Sequence, residues 1–247
     1  MLHALTGTAL LQAWEMGERR HAIDRALVLL WAGHPDGHPP QTLAELTIGQ
    51  RDALLLDLRA ATLGDQMAAH AVCPECEAEL EFPLCVSELR DPAQPMDATA
   101  TFSRQLDDWQ VRLRCPNSRD LADTARRDDP LAARASLLER CVVDARDSDG
   151  RSTPVAELPD TVLDAIASAL AERDPQADIR IDLVCPDCGH CWQLGFDIAA
   201  FLWDELAASA QRLLREVARL ARGFGWSEAD ILAMTPARRG AYLGLLG

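Results

Sequence analysis

Val72-Cys73-Pro74-Glu75-Cys76 and Val184-Cys185-Pro186-Asp187-Cys188-Gly189 decide how this chain is read. Each CPxC pair lies between segments in which apolar and polar residues alternate. Ala68 to Val72 leads into the first pair, and Glu77-Ala78-Glu79-Leu80-Glu81-Phe82 leads out. Ile179 to Val184 leads into the second, and His190-Cys191-Trp192-Gln193-Leu194 leads out. Alternation on both sides of a tight turn is the pattern of a strand–knuckle–strand hairpin. Each turn offers two thiolates to one ion, and a second turn completes the tetrahedron. Cys73, Cys76, Cys185 and Cys188 therefore read as the ligands of one structural Zn2+ per chain. That ion would tie together segments about a hundred residues apart.

Two other readings of the cysteines stay open. A CxxC can be a redox pair, although such pairs usually open a helix with the first thiol exposed as a nucleophile. The pairs could also form disulfides. Cys85, Cys115, Cys141 and Cys191 are isolated, and isolated cysteines mostly behave as small apolar residues. His190 and Cys191 follow Cys188 closely enough to be considered as substitute ligands, but the strand leaving the turn should carry them away from the metal.

Nearly half of the 247 residues are apolar, so a large core is available. The formal charge is -15, from 39 acidic and 24 basic residues, and every basic residue is Arg. Nucleic-acid binding needs a positive surface to release counterions, so this balance argues against it. No apolar run is long enough to span a membrane. Met1-Leu2-His3-Ala4-Leu5 lacks a basic leader region, and CxxC pairs kept reduced favour the cytoplasm.

Residues 8 to 32 carry Leu10, Leu11, Trp14, Ile23, Leu27, Leu30 and Trp31 near helical spacing, which predicts one helix. His34-Pro35-Asp36-Gly37-His38-Pro39-Pro40 then reads as a solvated loop, not a metal site. Thr47-Ile48-Gly49-Gln50 is a capping box for a helix that ends at Gly64. Arg51, Asp52, Asp57 and Arg59 are expected on its solvated face. Pro92 and Pro95 mark a linker. Thr99 to Phe102 and Trp109 to Arg114 suggest strands, and 119–127, 130–143 and Leu158 to Glu172 suggest helices. Asp147-Ser148-Asp149-Gly150 is a polar turn with too few ligands for calcium. From Ile198 to Phe224 apolar residues recur every three or four positions, with Ala210 bridging one gap. At about 1.5 Å per residue this helix spans roughly 40 Å. Ser227 caps a short helix, and Thr235-Pro236 starts the last.

The sequence carries no catalytic signature. The chain has no Gly-rich phosphate loop, HExxH or nucleophile elbow. Its histidines, His3, His21, His34, His38, His70 and His190, do not pair with carboxylates at a catalytic spacing. A four-thiolate zinc has no open position for substrate.

Several stretches together resemble one family. They are Leu46 to Asp52, Thr62-Leu63-Gly64-Asp65, the first CPxC hairpin, Cys185 to His190 and Phe196-Asp197-Ile198. Further matches are Phe201 to Leu206, Gly225-Trp226-Ser227-Glu228-Ala229-Asp230-Ile231-Leu232, Arg238-Arg239 and Tyr242-Leu243. The chain resembles the T-even-type phage baseplate (hub assembly) protein family, in its bacterial contractile injection system branch. Both ends match well, and residues 90–180 match loosely. The GWSxxDI segment is also similar to tail-assembly chaperone helices. The resemblance implies a baseplate hub component or its assembly factor, without catalysis, and implies the same four zinc ligands. Glu77 stands where that family commonly has glycine.

The fold expected is α+β, mainly α-helical, with a zinc ribbon built from two CPxC knuckles. Residues 1–90 and 179–247 should pack as one unit, with 91–178 as an inserted α+β segment. Partners would be baseplate, hub or spike proteins, met through a C-terminal surface of Trp226, Arg238, Arg239 and Tyr242. A zinc-ribbon transcription regulator and a CxxC thiol oxidoreductase are the rival readings. The expected place is the cytoplasm, or a phage-tail-like particle assembled there.

Overall fold

A computed structural model describes residues 2–34, 39–92 and 100–246. Helix outweighs strand, at 54% to 18%, so the chain is mixed α+β and mainly helical. Helices α1 (Thr8–Gly17), α2 (Ala22–Ala32), α3 (Pro40–Glu45) and α4 (Ile48–Leu63) come first. A hairpin of β1 (Gln66–Val72) and β2 (Glu79–Cys85) follows, then the single turn α5 (Val86–Leu89). The middle holds β3 (Phe102–Leu106), β4 (Trp109–Leu113), α6 (Ser118–Thr124), α7 (Pro130–Cys141), β5 (Val142–Arg146) and α8 (Asp160–Arg173). The hairpin of β6 (Arg180–Val184) and β7 (Cys191–Gly195) leads into α9 (Ile198–Phe224), α10 (Glu228–Leu232) and α11 (Pro236–Gly244).

Two apolar cores organise these elements. The larger takes Leu29 and Leu30 from α2, Leu55, Leu56 and Leu58 from α4, and Leu202, Leu206 and Leu220 from α9. Met67, Ala69, Leu84 and Ile179 bring both hairpins onto it. A fully buried leucine contributes about 1.5–3 kcal/mol, so α9 is fixed by burial along its length. Asp197 caps α9 by accepting from the Ala199 and Ala200 amides, and Gly225 ends it at a left-handed φ of 71°. Where α1 crosses α9, a Cβ on Gly17 would lie 2.4 Å from the Trp203 ring, so only glycine fits. The smaller core joins Val111 and Leu113 of β4, Ala145 of β5, Leu138 of α7, and Val162 and Ile166 of α8. There β3, β4 and β5 form one antiparallel sheet.

Polar contacts join the two cores. Buried Asp174, just after α8, accepts from the Thr47 hydroxyl at 3.0 Å and the Gly49 amide at 2.9 Å. Its carboxylate thus meets the positive end of α4. The Ile48 amide donates to the Pro116 carbonyl at 3.1 Å. The Gln176 side-chain amide donates to the Leu89 carbonyl at 3.0 Å.

Several expectations need correction. The single helix over 8–32 is two helices: Gly17 packs under Trp203, and His21 accepts from the Ile23 amide to start α2. The capping box of α4 is present, yet three of the charges expected on its solvated face are buried. Arg51 and Asp52 pair at 2.7 Å, and Arg59 reaches Glu205 of α9 at 2.7 Å. Only Asp57 remains exposed. The helix over 130–143 stops at Cys141, and Val142 and Val143 open β5. The strand expected from Thr99 begins at Phe102, with Thr99 outside the described residues. The centre of the histidine loop, 35–38, and the linker around Pro95 also lie outside them.

Candidate metal centre

The two hairpins bring their turns together although the turns are far apart in sequence. Val72 pairs with Glu79 at the tip of β1–β2, and Val184 pairs with Cys191 at the tip of β6–β7. In the first turn the Cys73 amide donates to the Ala78 carbonyl, and the Glu77 amide donates to the Cys73 carbonyl. In the second the Cys185 amide donates to the His190 carbonyl, and the Gly189 amide donates to the Cys185 carbonyl. The two knuckles therefore share one hydrogen-bond scheme, residue for residue. The fourth position after the first cysteine needs positive φ in each, 59° at Glu77 and 74° at Gly189.

The sulfurs of Cys73, Cys76, Cys185 and Cys188 all lie within 4.8 Å of one another. Cys73 and Cys188 are 3.7 Å apart, and Cys76 and Cys185 are 3.6 Å apart. A tetrahedral ion with metal–sulfur bonds of about 2.3 Å holds its sulfurs about 3.8 Å apart. A disulfide needs about 2.05 Å, so these cross-hairpin pairs are too long for it. Each knuckle contributes one buried and one exposed thiol. The Cys188 amide, donating to the Cys185 sulfur, draws that thiol down to about 7, whereas Cys76, despite the Ala78 amide, is pushed up to about 12 by the neighbouring Cys188 and Cys185 thiols, so the four thiols do not ionise alike. Donor type, number and spacing all fit one four-coordinate soft ion.

The other cysteines lie apart from this cluster. Cys115 and Cys141 are buried, and burial pushes both thiols up to about 12, which makes them inert packing residues. Cys85 is half-buried and accepts from the Gln66 side-chain amide at 3.2 Å. Cys191 is exposed, on the outer face of β7. His190 stacks with Trp192 at a centroid distance of 6.0 Å.

The C-terminal residues singled out from sequence divide into two groups. Trp226 stacks on Phe224 at 4.5 Å and meets Tyr242 edge-on at 4.8 Å. Arg238 is exposed, with its guanidinium 5.8 Å from the Tyr242 ring centre. Arg239 is instead buried, paired with Glu216 at 3.0 Å and donating to the Met234 carbonyl. It fastens α11 to α9 and is not available to a partner.

Sequence reasoning passed over the buried charges beside the knuckle-bearing hairpins. Asp52 packs against Arg51 near Asp174 and Asp197, and burial raises it to about 6. The one sequence signal was Gly49 in the first turn of α4, where a Cβ would strike Asp174 at 2.2 Å. No helix among the described residues is long and apolar enough to cross a membrane.

One protein-family model, described as T4 bacteriophage base plate protein, matches residues 34–203 of the 247. That span contains both knuckles, the middle segment and the start of α9. No curated protein and no solved structure matches the chain.

Proposed function

The chain belongs to the T4 bacteriophage base plate protein family, and on that premise we propose that it is a non-enzymatic baseplate or hub component, or an assembly factor for one. The particle would be a contractile, phage-tail-like injection system put together in the cytoplasm. The family match over residues 34–203 carries this reading. The protein acts by binding neighbouring baseplate, hub or spike proteins, and a Zn2+ held by Cys73, Cys76, Cys185 and Cys188 keeps its frame rigid. The sulfur spacing near 3.7 Å supports the ion. Four thiolates complete its coordination, so it supplies stability, not chemistry.

Residues 1–90 and 179–247 act as one unit with 91–178 inserted, a division supported by the larger core drawing on both ends and the smaller on the middle. Partner contact involves the C-terminal patch of Trp226, Tyr242 and Arg238, since aromatic and Arg anchors dominate interface energies. A transcription regulator is disfavoured by the charge of -15. A thiol oxidoreductase is disfavoured because both CxxC pairs lie on hairpin turns, not helix starts.

Mass spectrometry of purified particles, with and without the gene product, tests the proposal. A structural component stays in the finished particle. An assembly factor is absent from it, but particles fail to form without it. Intact particles assembled without the chain would refute both.

A further inference from the structure

A crevice of about 420 Å3, within the size range of small-ligand sites, lies where α4, the middle segment and the flanks of the second hairpin meet. Part of its lining is apolar and comes from α4 and the hairpin flanks, as Ile48, Ile179 and Phe196. More apolar lining comes from the middle segment, as Pro116, Leu121 and Leu137. Charge is set into this lining. Arg51 and Asp52 both border the crevice, although they are only 5% and 8% exposed.

The Arg51–Asp52 pair is incomplete. Nε and Nη2 of Arg51 both lie 2.7 Å from the same oxygen of Asp52, Oδ1. An arginine–carboxylate fork would engage both oxygens. Asp52 Oδ2 and Arg51 Nη1 have no hydrogen-bond partner among the described residues. Neither atom is among those sealed from solvent, and the crevice that both residues line is their opening to it. A nearly buried carboxylate oxygen left without a donor is costly, and an incoming donor recovers that cost.

The charges around the crevice select a cation. Among the described residues lining it, Arg51 is the base and Asp52, Asp178 and Asp197 are the acids. Asp178 is paired with Arg180. Asp197 gives Oδ1 to the Ala199 and Ala200 amides, while its Oδ2 has no hydrogen bond among the described residues. Two helix N-termini nearby would draw an anion, but the chain's own carboxylates already fill them, Asp174 at α4 and Asp197 at α9. Burial, with Asp197 and Asp174 close by, raises the Asp52 carboxyl to about 6, so added positive charge beside it is favourable. The apolar lining favours arginine over lysine, because a guanidinium is the more weakly hydrated head and brings five donors.

We propose that this crevice receives an arginine side chain presented by a partner protein, its guanidinium donating to Asp52 beside Asp197 and its aliphatic stem lying against the apolar lining. Since that lining comes from both sides, the bound side chain ties the middle segment to α4, adding to the Asp174 contacts. That the partner is a baseplate neighbour rests on the function proposed above; the chemistry of the crevice does not.

Amide NMR of the full, metal-loaded chain tests the crevice directly, with capped single residues as probes. Nα-acetyl-arginine methylamide should bind saturably in the millimolar range, as suits one side chain, and should shift the amides of Ile48, Ala177 and Phe196. The citrulline analogue has the same shape without the charge, and should bind at least about tenfold more weakly, as should arginine to Asp52→Asn. Equal binding of the citrulline analogue to the native chain overturns the proposal, whether or not Asp52→Asn folds. So does preferential binding of the glutamate analogue, or a folded Asp52→Asn that binds arginine as the native chain does. In pull-downs, Asp52→Asn should recover less of the baseplate partners, and full recovery overturns a partner's arginine as the occupant. A native chain that recovers no baseplate partner counts against the baseplate reading instead, and the probes still decide the crevice.

Discussion

Glu77 and Gly189 hold the same place in the two knuckles, four residues after the first cysteine, and both take positive φ. Glycine adopts that conformation freely, whereas a residue with a Cβ pays about 1–2 kcal/mol there. Part of that is recovered because glutamate has fewer unfolded conformations than glycine. The first knuckle is thus the more strained of two otherwise matching turns. Glu77→Gly should raise thermal stability by about 0.5–1 kcal/mol, and Gly189→Glu should lower it by at least as much. Melting curves of the two metal-loaded variants check this, and a destabilised Glu77→Gly protein would count against it.

Elemental analysis of protein purified without added metal should return about one zinc per chain. Structural zinc contributes on the order of 10 kcal/mol to folding. Cys185→Ser removes a buried thiol of the four-cysteine cluster and should leave a metal-free chain that aggregates or melts far earlier than native. Chelation of the native protein should do the same. Tightly bound iron, or a Cys185→Ser chain with an unchanged melt, contradicts the assignment.

Asp174 is the clasp between the middle segment and α4. Asp174→Ala strands the buried Thr47 hydroxyl and Gly49 amide. Each orphaned donor costs about 1–3 kcal/mol, so a total loss of about 2–6 kcal/mol is expected in denaturant titration. Zinc content should be unchanged, since the knuckles lie on other elements.

Burial raises Asp52 from 3.8 to about 6. A carboxyl held above its unfolded value favours the folded state when protonated. Its contribution is complete below about pH 4 and is lost as pH rises through about 6. A shift of that size corresponds to about 3 kcal/mol. The stability difference between native protein and Asp52→Asn should therefore change across pH 4 to 6 and stay flat above 7. A difference that is flat across the whole range would remove Asp52 as the source.

Arg238 and Arg239 are adjacent yet should behave oppositely. Arg239→Ala leaves Glu216 without its buried partner and should cost about 2–4 kcal/mol of stability. Arg238→Ala should leave the melt unchanged and weaken recovery of baseplate partners in pull-downs. Ile231 is fully buried in the larger core, so point variants serve here better than truncation.

The elements that sequence revealed were those whose signal is local. Period and caps were enough to bound α9, because Asp197, Gly225 and the apolar stripe all lie within it. The clustering of Cys73, Cys76, Cys185 and Cys188 was plain because two CPxC turns of matching pattern suit one soft ion. What escaped depends on distant neighbours. Arg51, Asp52 and Arg59 look like solvated charges until Asp174, Asp197 and Glu205 arrive from far along the chain. The break at Gly17 is set by Trp203 across the core, and no helical pattern within residues 8–32 reports it. Strand β5 was hidden because Val142 continues directly from Cys141, with no turn residue between them.

The separation of the knuckles, with Cys73 and Cys188 lying 115 residues apart, governs the order of events on the ribosome. When the first knuckle emerges it has only two of four sulfurs, and α4 waits for α9 to cover it. The middle segment draws its own core from residues 111–169 and can mature in the interval. For that time the leucines of α2 and α4 face water. Translation speed across the middle segment, and whatever shields that nascent surface, therefore bear on how much protein the cell recovers, independently of the finished fold's stability.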